Sequence, residues 1–288
     1  NYQFYPNGVN VTGNLAQFTT GLSSILLNSL GYTGTWNTIW FLGFIFGGYG
    51  AYLLSNHFTK NFYSSLIAGI IFTFGTYHMA HANSHIGLTM IVWIPIFILC
   101  LFKILNKNSL FYSVLGGIFF FLVSFTHLYY AVFVTIFSII FFVVYAFKGK
   151  NVKNSLFIKH FLIMVGVGLI STSILIIPTL YDVELHNRSL DEHIRYSINL
   201  ENLIVPTPVH SVEKISDYYF GKAFFYSFNE VTTNPSYSIE HFVFLGYATI
   251  ILSLIAVIKF RSNYVWFWAL VCGIFTLFSL GPELKFFN

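Results

Sequence analysis

Eight long apolar stretches run through the sequence and limit most strongly what this chain can fold into. A helix needs about 20 apolar residues to cross the hydrocarbon core of a bilayer, with a usual range of about 17 to 25. Strands of a membrane barrel are much shorter, at about 10 residues. We therefore predict eight helical spans, and these are Trp36–Ser55, Tyr63–Met79, Ile86–Leu105, Leu110–Thr126, Leu128–Phe147, Phe161–Leu180, Phe242–Phe260 and Tyr264–Leu280.

The composition agrees with a membrane protein. Only 8% of the residues are charged and 56% are hydrophobic, whereas a soluble domain carries about 25% charged residues. Such a chain cannot cover a water-facing surface, and this excludes a soluble enzyme, a disordered segment and a nucleic-acid-binding protein. We therefore expect membrane lipids as partners of the chain and do not expect nucleic acid.

The basic residues fall in alternate loops between the predicted spans. These loops hold nine of the fourteen Lys and Arg residues and no acidic residue. Lys and Arg in short loops favour the cytoplasmic side of a membrane, so we predict that these loops are cytoplasmic and that the other loops are external. The basic residues concerned are Lys60, Lys103, Lys107, Lys148, Lys150, Lys153, Lys159, Lys259 and Arg261.

The predicted fold is all-α, a polytopic transmembrane helical bundle in the cell membrane. Residues 1–35 form an external segment, and apolar residues recur at helical spacing between Leu15 and Leu30, without any charge. This pattern predicts an amphipathic helix on the outer interface, with a short ninth membrane segment as the alternative. Residues 36–180 contain spans one to six, residues 181–241 form one large extracytoplasmic loop, and residues 242–288 contain spans seven and eight. Because the chain begins at Asn1, we expect it to be truncated at both ends.

Three histidines follow the second span at a spacing of i, i+3 and i+7. On a continuing helix, His78, His81 and His85 would share one face. Three imidazoles could ligate a metal, bind a phosphate as donors or shuttle a proton, or they could form an interfacial cap that bonds only backbone and water. We expect them to bind substrate in a polar cavity that opens outward and contacts the Tyr181–His241 loop, because polar groups at membrane depth are costly. No metal ligands are assigned, and a divalent cation is the one cofactor left open.

The Tyr181–His241 loop carries nine of the ten acidic residues and two of the three arginines. A guanidinium group matches a phosphate in a bidentate manner, so we predict that Arg188 and Arg195 bind the phosphate of a lipid-linked substrate. In the alternative, Arg195 pairs only with Asp191 or Glu192 on a short helix. Such exposed pairs contribute about 0.2–0.5 kcal/mol.

A series of short segments runs in a fixed order through nearly the whole chain. These are Phe4–Gly8, Ala68–His78 with His81 and His85, Trp93–Pro95, Pro178, Arg195–Ser197, Leu203–Pro208, Glu240 with Phe244–Tyr247, and Phe278–Pro282. In this order they resemble the multi-spanning GT-C glycosyltransferases of bacteria and archaea. The resemblance is to the branch near the YfhO-like and mannosyltransferase-like membrane proteins.

The resemblance implies an inverting transfer of a sugar in the cell envelope. The donor would be a polyprenyl-phosphate sugar and the acceptor a glycan or a protein on the outer side. Such enzymes use a carboxylate just after their first span. This chain has no acid before Asp182, so we expect that carboxylate to precede Asn1, and the alternative is that the protein has no such base. Glu192 and Glu240 are the candidate catalytic carboxylates within the chain.

A lipid or polysaccharide transporter, or a non-enzymatic membrane scaffold, is the alternative function. A lateral groove that faces lipid and ends under a polar loop would favour the transferase. A continuous polar path through the bundle would favour the transporter.

Overall fold

The computed structural model describes residues 16–82, 86–146, 152–180, 190, 194, 196–198, 200–204 and 243–282. These residues form helices and turns and contain no β-strand, which confirms the predicted all-α class for this part of the chain. The helices are α1 (Ala16–Thr59), α2 (Phe62–Thr73), α3 (Thr76–Ala82), α4 (Ile86–Thr89), α5 (Trp93–Lys107), α6 (Leu110–Thr126), α7 (Leu128–Ala146), α8 (Val152–Leu180), α9 (Tyr247–Lys259) and α10 (Asn263–Ser279), with a 3-10 turn at Leu200–Leu203.

Four helical segments among the described residues are long and apolar enough to cross a membrane. They are Ser29–Thr59, Gly87–Lys107, Leu128–Ala146 and Ser155–Ile174. At a rise of about 1.5 Å per residue, each can bridge most or all of a hydrocarbon core of about 30 Å. These helices identify the chain as a membrane protein. Four further apolar helices, α2, α6, α9 and α10, have 10 to 17 residues, so a total of eight spans stays a prediction.

The structure divides one predicted span, and it places a kink at Gly31 between the predicted amphipathic helix and the first span. The predicted span Tyr63–Met79 is broken, because α2 ends at Thr73 and α3 begins only after Gly75. Glycine is a poor helix former, and the Met79 amide bonds to the Gly75 carbonyl at 3.0 Å to start α3. The range of α1 contains two helical segments that meet at Gly31. The backbone there is non-helical, with a φ of 66° and a ψ of 176°, and this conformation favours glycine.

The chain forms two compact units. Unit 1 comprises Asn1–Thr73 and Ser84–Leu185, and unit 2 comprises Phe74–Asn83 and His186–Asn288. In unit 1, α6 packs on α5, α7 and α8, and α1 packs on α2 and α5. In unit 2, α9 packs on α10, and none of the α9 residues is buried. The apolar surface of α9 is therefore available to lipid or to another helix.

Two helix pairs of unit 1 approach each other closely at glycines. A Cβ atom at Gly69 on α2 would lie 2.8 Å from the Gly48 carbonyl oxygen on α1. A Cβ atom at Gly117 on α6 would lie 2.6 Å from the Cβ atom of Val167 on α8. Small residues of this kind let helix backbones approach and gain dispersion contacts in lipid, where the hydrophobic effect between helices is absent.

Substituting Gly117 by leucine should destabilise unit 1. The added side chain collides with α8 and must displace it, which typically costs about 1–3 kcal/mol. The matched control is Gly166→Leu on α8, where an added Cβ atom meets nothing within 4 Å. We expect the thermal unfolding midpoint in detergent to fall for Gly117→Leu and to stay the same or rise for Gly166→Leu. Equal midpoints for the two variants would contradict the close packing of α6 on α8.

Candidate functional site

Two of the predicted site residues, His78 and His81, lie in the described part of the chain. Both lie on α3, three residues apart and so on one helix face. Their exposed fractions are 1% and 0%, so both imidazoles are buried. His85, Arg188, Glu192, Arg195 and Glu240 lie outside the described residues. Their assigned roles stay predictions.

The His81 ring is fixed by the turn of helix that precedes it. Its Nδ1 atom lies 2.8 Å from the Tyr77 carbonyl oxygen, and its ring centre lies 4.1 Å from that of Tyr77. A carbonyl oxygen can only accept a hydrogen bond, so Nδ1 carries the proton and donates it. In the neutral ring the lone pair is therefore on Nε2, the nitrogen that can accept a proton or a hydrogen bond.

α3 belongs to the same compact unit as residues 186–288. Residues 186–241 of the polar loop that is predicted to contact the histidines fall in that unit. A cavity lined by the histidines stays a prediction.

Within unit 2, segments that are distant in sequence meet at the ends of α9 and α10. The Ile198 amide donates to the Ser279 carbonyl at 3.0 Å, and the Leu245 amide donates to the Leu203 carbonyl at 3.3 Å. Ser279 is the last residue of α10, and Leu245 lies just before α9. Both bonds therefore lie at the ends of these helices that are remote from the turn, residues 260–262, that connects them.

These two bonds hold short pieces of the large loop beside the helix ends. Ile198 lies beside Ser279, and Leu203 lies beside Leu245. The residues at these junctions are buried, and they are Ser197, Ile198, Asn202, Phe244 and Leu280. Part of the large loop is thus packed against the helix ends.

An apolar groove of about 230 Å³ lies among four helices of unit 1. Its lining residues are Phe97, Phe120, Thr135, Ser138, Ile139, Phe142, Phe161, Met164, Val165 and Leu169. The Thr135 hydroxyl donates to the Ala131 carbonyl at 2.7 Å, and the Ser138 hydroxyl donates to the Val134 carbonyl at 2.6 Å. Because both hydroxyls bond their own helix, they add little polarity to the groove wall.

The groove is flanked by the middle of an apolar helix and is open at its edge. Ser138 lies near the middle of the apolar helix Leu128–Ala146. Phe97 at the base of the groove is fully buried, whereas Ile139 and Leu169 at its rim are 58% and 59% exposed. A concave apolar surface in this position suits a hydrocarbon chain.

The sequence did not predict this groove. Its wall comes from four helices, and its residues are the apolar types that also fill ordinary cores, so no spacing along the chain identifies them. The histidine pair was found because polar residues next to an apolar run are conspicuous.

The described residues contain no group of three or more His, Cys, Asp or Glu side chains that could hold a metal ion. A divalent cation therefore stays a prediction that concerns other parts of the chain.

Residues 14–288 match a family described as a domain of unknown function, DUF6311. No curated protein and no solved structure matches the chain. The family match extends from the first described helix to the last residue, so it includes both units and the large loop.

Substituting His81 by phenylalanine should destabilise unit 2. The ring volume is kept, but the buried bond to the Tyr77 carbonyl is lost, which typically costs about 1–3 kcal/mol. His160 is a matched control, because its Nδ1 atom makes the same bond to Leu156 at 2.8 Å on an exposed surface. We expect the unfolding midpoint in detergent to fall for His81→Phe and to change little for His160→Phe. An equal fall of the unfolding midpoint in both variants would show that the burial of His81 does not strengthen the contribution of its hydrogen bond to stability.

Proposed function

The chain belongs to the DUF6311 family, and we propose that it is the transmembrane part of a GT-C-type glycosyltransferase. The enzyme moves a sugar from a polyprenyl-phosphate donor to a glycan or protein acceptor on the outer face of the membrane. The observation that carries this proposal is the apolar groove of unit 1, which is lined by apolar side chains of four helices and suits the hydrocarbon chain of a lipid donor.

The walls of the groove support a lipid chain over a polar cargo. Ser138 and Thr135 direct their hydroxyls into the α7 backbone, so a polar solute would lose its hydration there without gaining hydrogen bonds. A hydrocarbon chain loses nothing on entering from the bilayer, and it gains close contacts with the aromatic side chains of Phe97, Phe120 and Phe161. These properties favour a transferase with a lipid donor over a polysaccharide transporter.

We assign the proton transfer and the binding of the polar parts of the substrates to unit 2. His78 and His81 are buried polar side chains in a very apolar chain, and such groups are functional candidates because burying them is costly. The Nε2 atom of His81 can take or give a proton at a substrate hydroxyl. The described loop residues at Ile198 and Leu203 bond to the ends of α10 and α9, which supports a place for these residues beside the site.

The transfer itself follows from the resemblance. A carboxylate removes the proton from the acceptor hydroxyl as that oxygen attacks the anomeric carbon of the sugar, and the lipid phosphate leaves. Glu192 and Glu240 are the candidate carboxylates in this chain. Arg188 and Arg195 are proposed to hold the phosphate, since a guanidinium group stabilises the charge that develops on the leaving oxygen.

Filling the groove should block the donor. Thr135 lines the groove at an exposed position, so Thr135→Trp places an indole in the path of the lipid chain. Val132 lies on the same helix, is 50% exposed and does not line the groove, so Val132→Trp is the matched control. We expect cross-linking to a photoactivatable undecaprenyl phosphate to fall roughly 10-fold or more for Thr135→Trp, which corresponds to about 1.4 kcal/mol of lost contact.

The control should retain the parental labelling. Both variants are compared at equal expression and with equal unfolding midpoints, so that a loss of labelling reports the groove and not the fold. Equal labelling of the two variants would show that the lipid does not use the groove, and the proposed function would lose its main support.

A further inference from the structure

One histidine and three lysines lie near each other at one end of unit 1. We call this group of four side chains the basic end. His57 and Lys60 come from the end of α1 and the turn after it, and Lys103 and Lys107 come from the last turns of α5. The Nδ2 atom of Asn106 lies 3.2 Å from Nε2 of His57. The three lysines lie near enough to this ring for their charges to act on it. Positive charge is therefore concentrated where α1 and α5 end.

No acidic side chain of the neighbouring sequence can neutralise this charge. The chain has no Asp or Glu in residues 1–181, and this range includes every described residue of unit 1. Like charges held close together repel. An anion from outside the chain would relieve this repulsion.

The hydrogen bonds of His57 also indicate an anion. The Asn106 amide nitrogen can only donate, so Nε2 of His57 accepts and Nδ1 carries the proton. That Nδ1 atom is buried and has no hydrogen-bond partner. A buried donor without an acceptor is costly, and an anionic oxygen would satisfy it.

The backbone of the basic end is held in an uncommon conformation. Lys60 and Asn108 have φ values of 52° and 46°, and their amides bond back to Asn56 and Ile104 to close the helix ends. Glycine or asparagine usually occupies this left-handed position, whereas lysine is strained there. Lys60 thus places a positive charge at a backbone position where glycine or asparagine would be less strained.

The adjoining helix start and surface complete the environment. Ser109 gives α6 no side-chain cap, so the positive end of the α6 dipole lies close to Asn108. Phe62 and Tyr63 follow Lys60 after Asn61 and are 58% and 73% exposed. Exposed aromatic side chains beside lysines are typical of the interface between a membrane and water.

We propose that the basic end binds a phosphoryl group, supplied by the headgroup of an anionic phospholipid. Lysine and imidazole N–H groups bind phosphate oxygens through charge-assisted hydrogen bonds. Basic pockets between membrane helices bind anionic headgroups in this way. Free phosphate has the same chemistry, but the exposed aromatic pair places the site at the lipid surface and favours the headgroup. This site is independent of the proposed transfer reaction.

The test is native mass spectrometry of the full chain in detergent, with phosphatidylglycerol and phosphatidylcholine supplied in equal amounts. We expect the chain to retain phosphatidylglycerol preferentially. Lys103→Gln and Lys107→Gln should each weaken this binding roughly five-fold, since a lysine at a membrane surface contributes about 1 kcal/mol. The matched control is Lys259→Gln at the last residue of α9, which should bind as the parental chain does.

Lys60→Asn separates binding from folding, because asparagine tolerates the left-handed backbone. It should weaken binding of phosphatidylglycerol while leaving the unfolding midpoint unchanged or higher. A parallel arm adds inorganic phosphate without lipid. If inorganic phosphate binds to the chain and displaces phosphatidylglycerol from it, the site belongs to the free anion and the lipid assignment is wrong. Failure of both probes to bind, or an equal loss in Lys259→Gln, would overturn the proposal.

Discussion

The hydrocarbon core of a bilayer offers no water to hydrogen-bond the backbone, and the rest of this structure depends on that constraint. Each peptide group within the core must find its partner inside the chain, and a helix satisfies all of them locally. The polar side chains of the apolar helices follow the same rule. The hydroxyls of Thr73, Ser124 and Thr126 each donate to the carbonyl four residues earlier, at 2.8 Å. Hydroxyl residues therefore occur inside the bundle without exposing a polar group to lipid.

The same constraint changes what holds the helices together. Lipid is as apolar as the helix surfaces, so association depends on close packing. Gly69 against Gly48 and Gly117 against Val167 supply that packing. A cluster of aromatic rings supplies it at the basic end, where Phe102 lies 4.8 Å from Phe58 and 4.9 Å from Phe141 in edge-to-face geometry. These rings connect α1, α5 and α7.

The sequence predicted best those helices whose ends carry clear polar or turn signals. The predicted span Leu110–Thr126 coincides with α6, because Asn108 and Ser109 precede it and His127 follows it. The break after Thr73 was not predicted, because the apolar run continues across it and hydropathy does not report the poor helix propensity of Gly75. The groove could not be predicted from the sequence, since it exists only where four helices come together.

The two histidines show how far sequence reasoning reaches into the candidate site. Their spacing predicted that His78 and His81 share a helix face, and both lie buried on α3. The tautomer of His81 required the structure, because it depends on the position of the Tyr77 carbonyl. The basic end shows the converse case. Its lysines were assigned from the sequence to cytoplasmic loops, but only the fold shows that Lys60, Lys103 and Lys107 lie around His57.

The predicted sidedness of the membrane connects these proposals, since it would separate an external reaction site from an internal basic end. The most direct measurement is cysteine labelling in intact cells, after Cys100 and Cys272 have been replaced by alanine. A membrane-impermeant maleimide should label Asp217→Cys in the large loop at once. It should label Asn61→Cys, beside Lys60, only after the cells are permeabilised. Labelling of Asp217→Cys only after permeabilisation, or of both positions from the same side, would contradict the account.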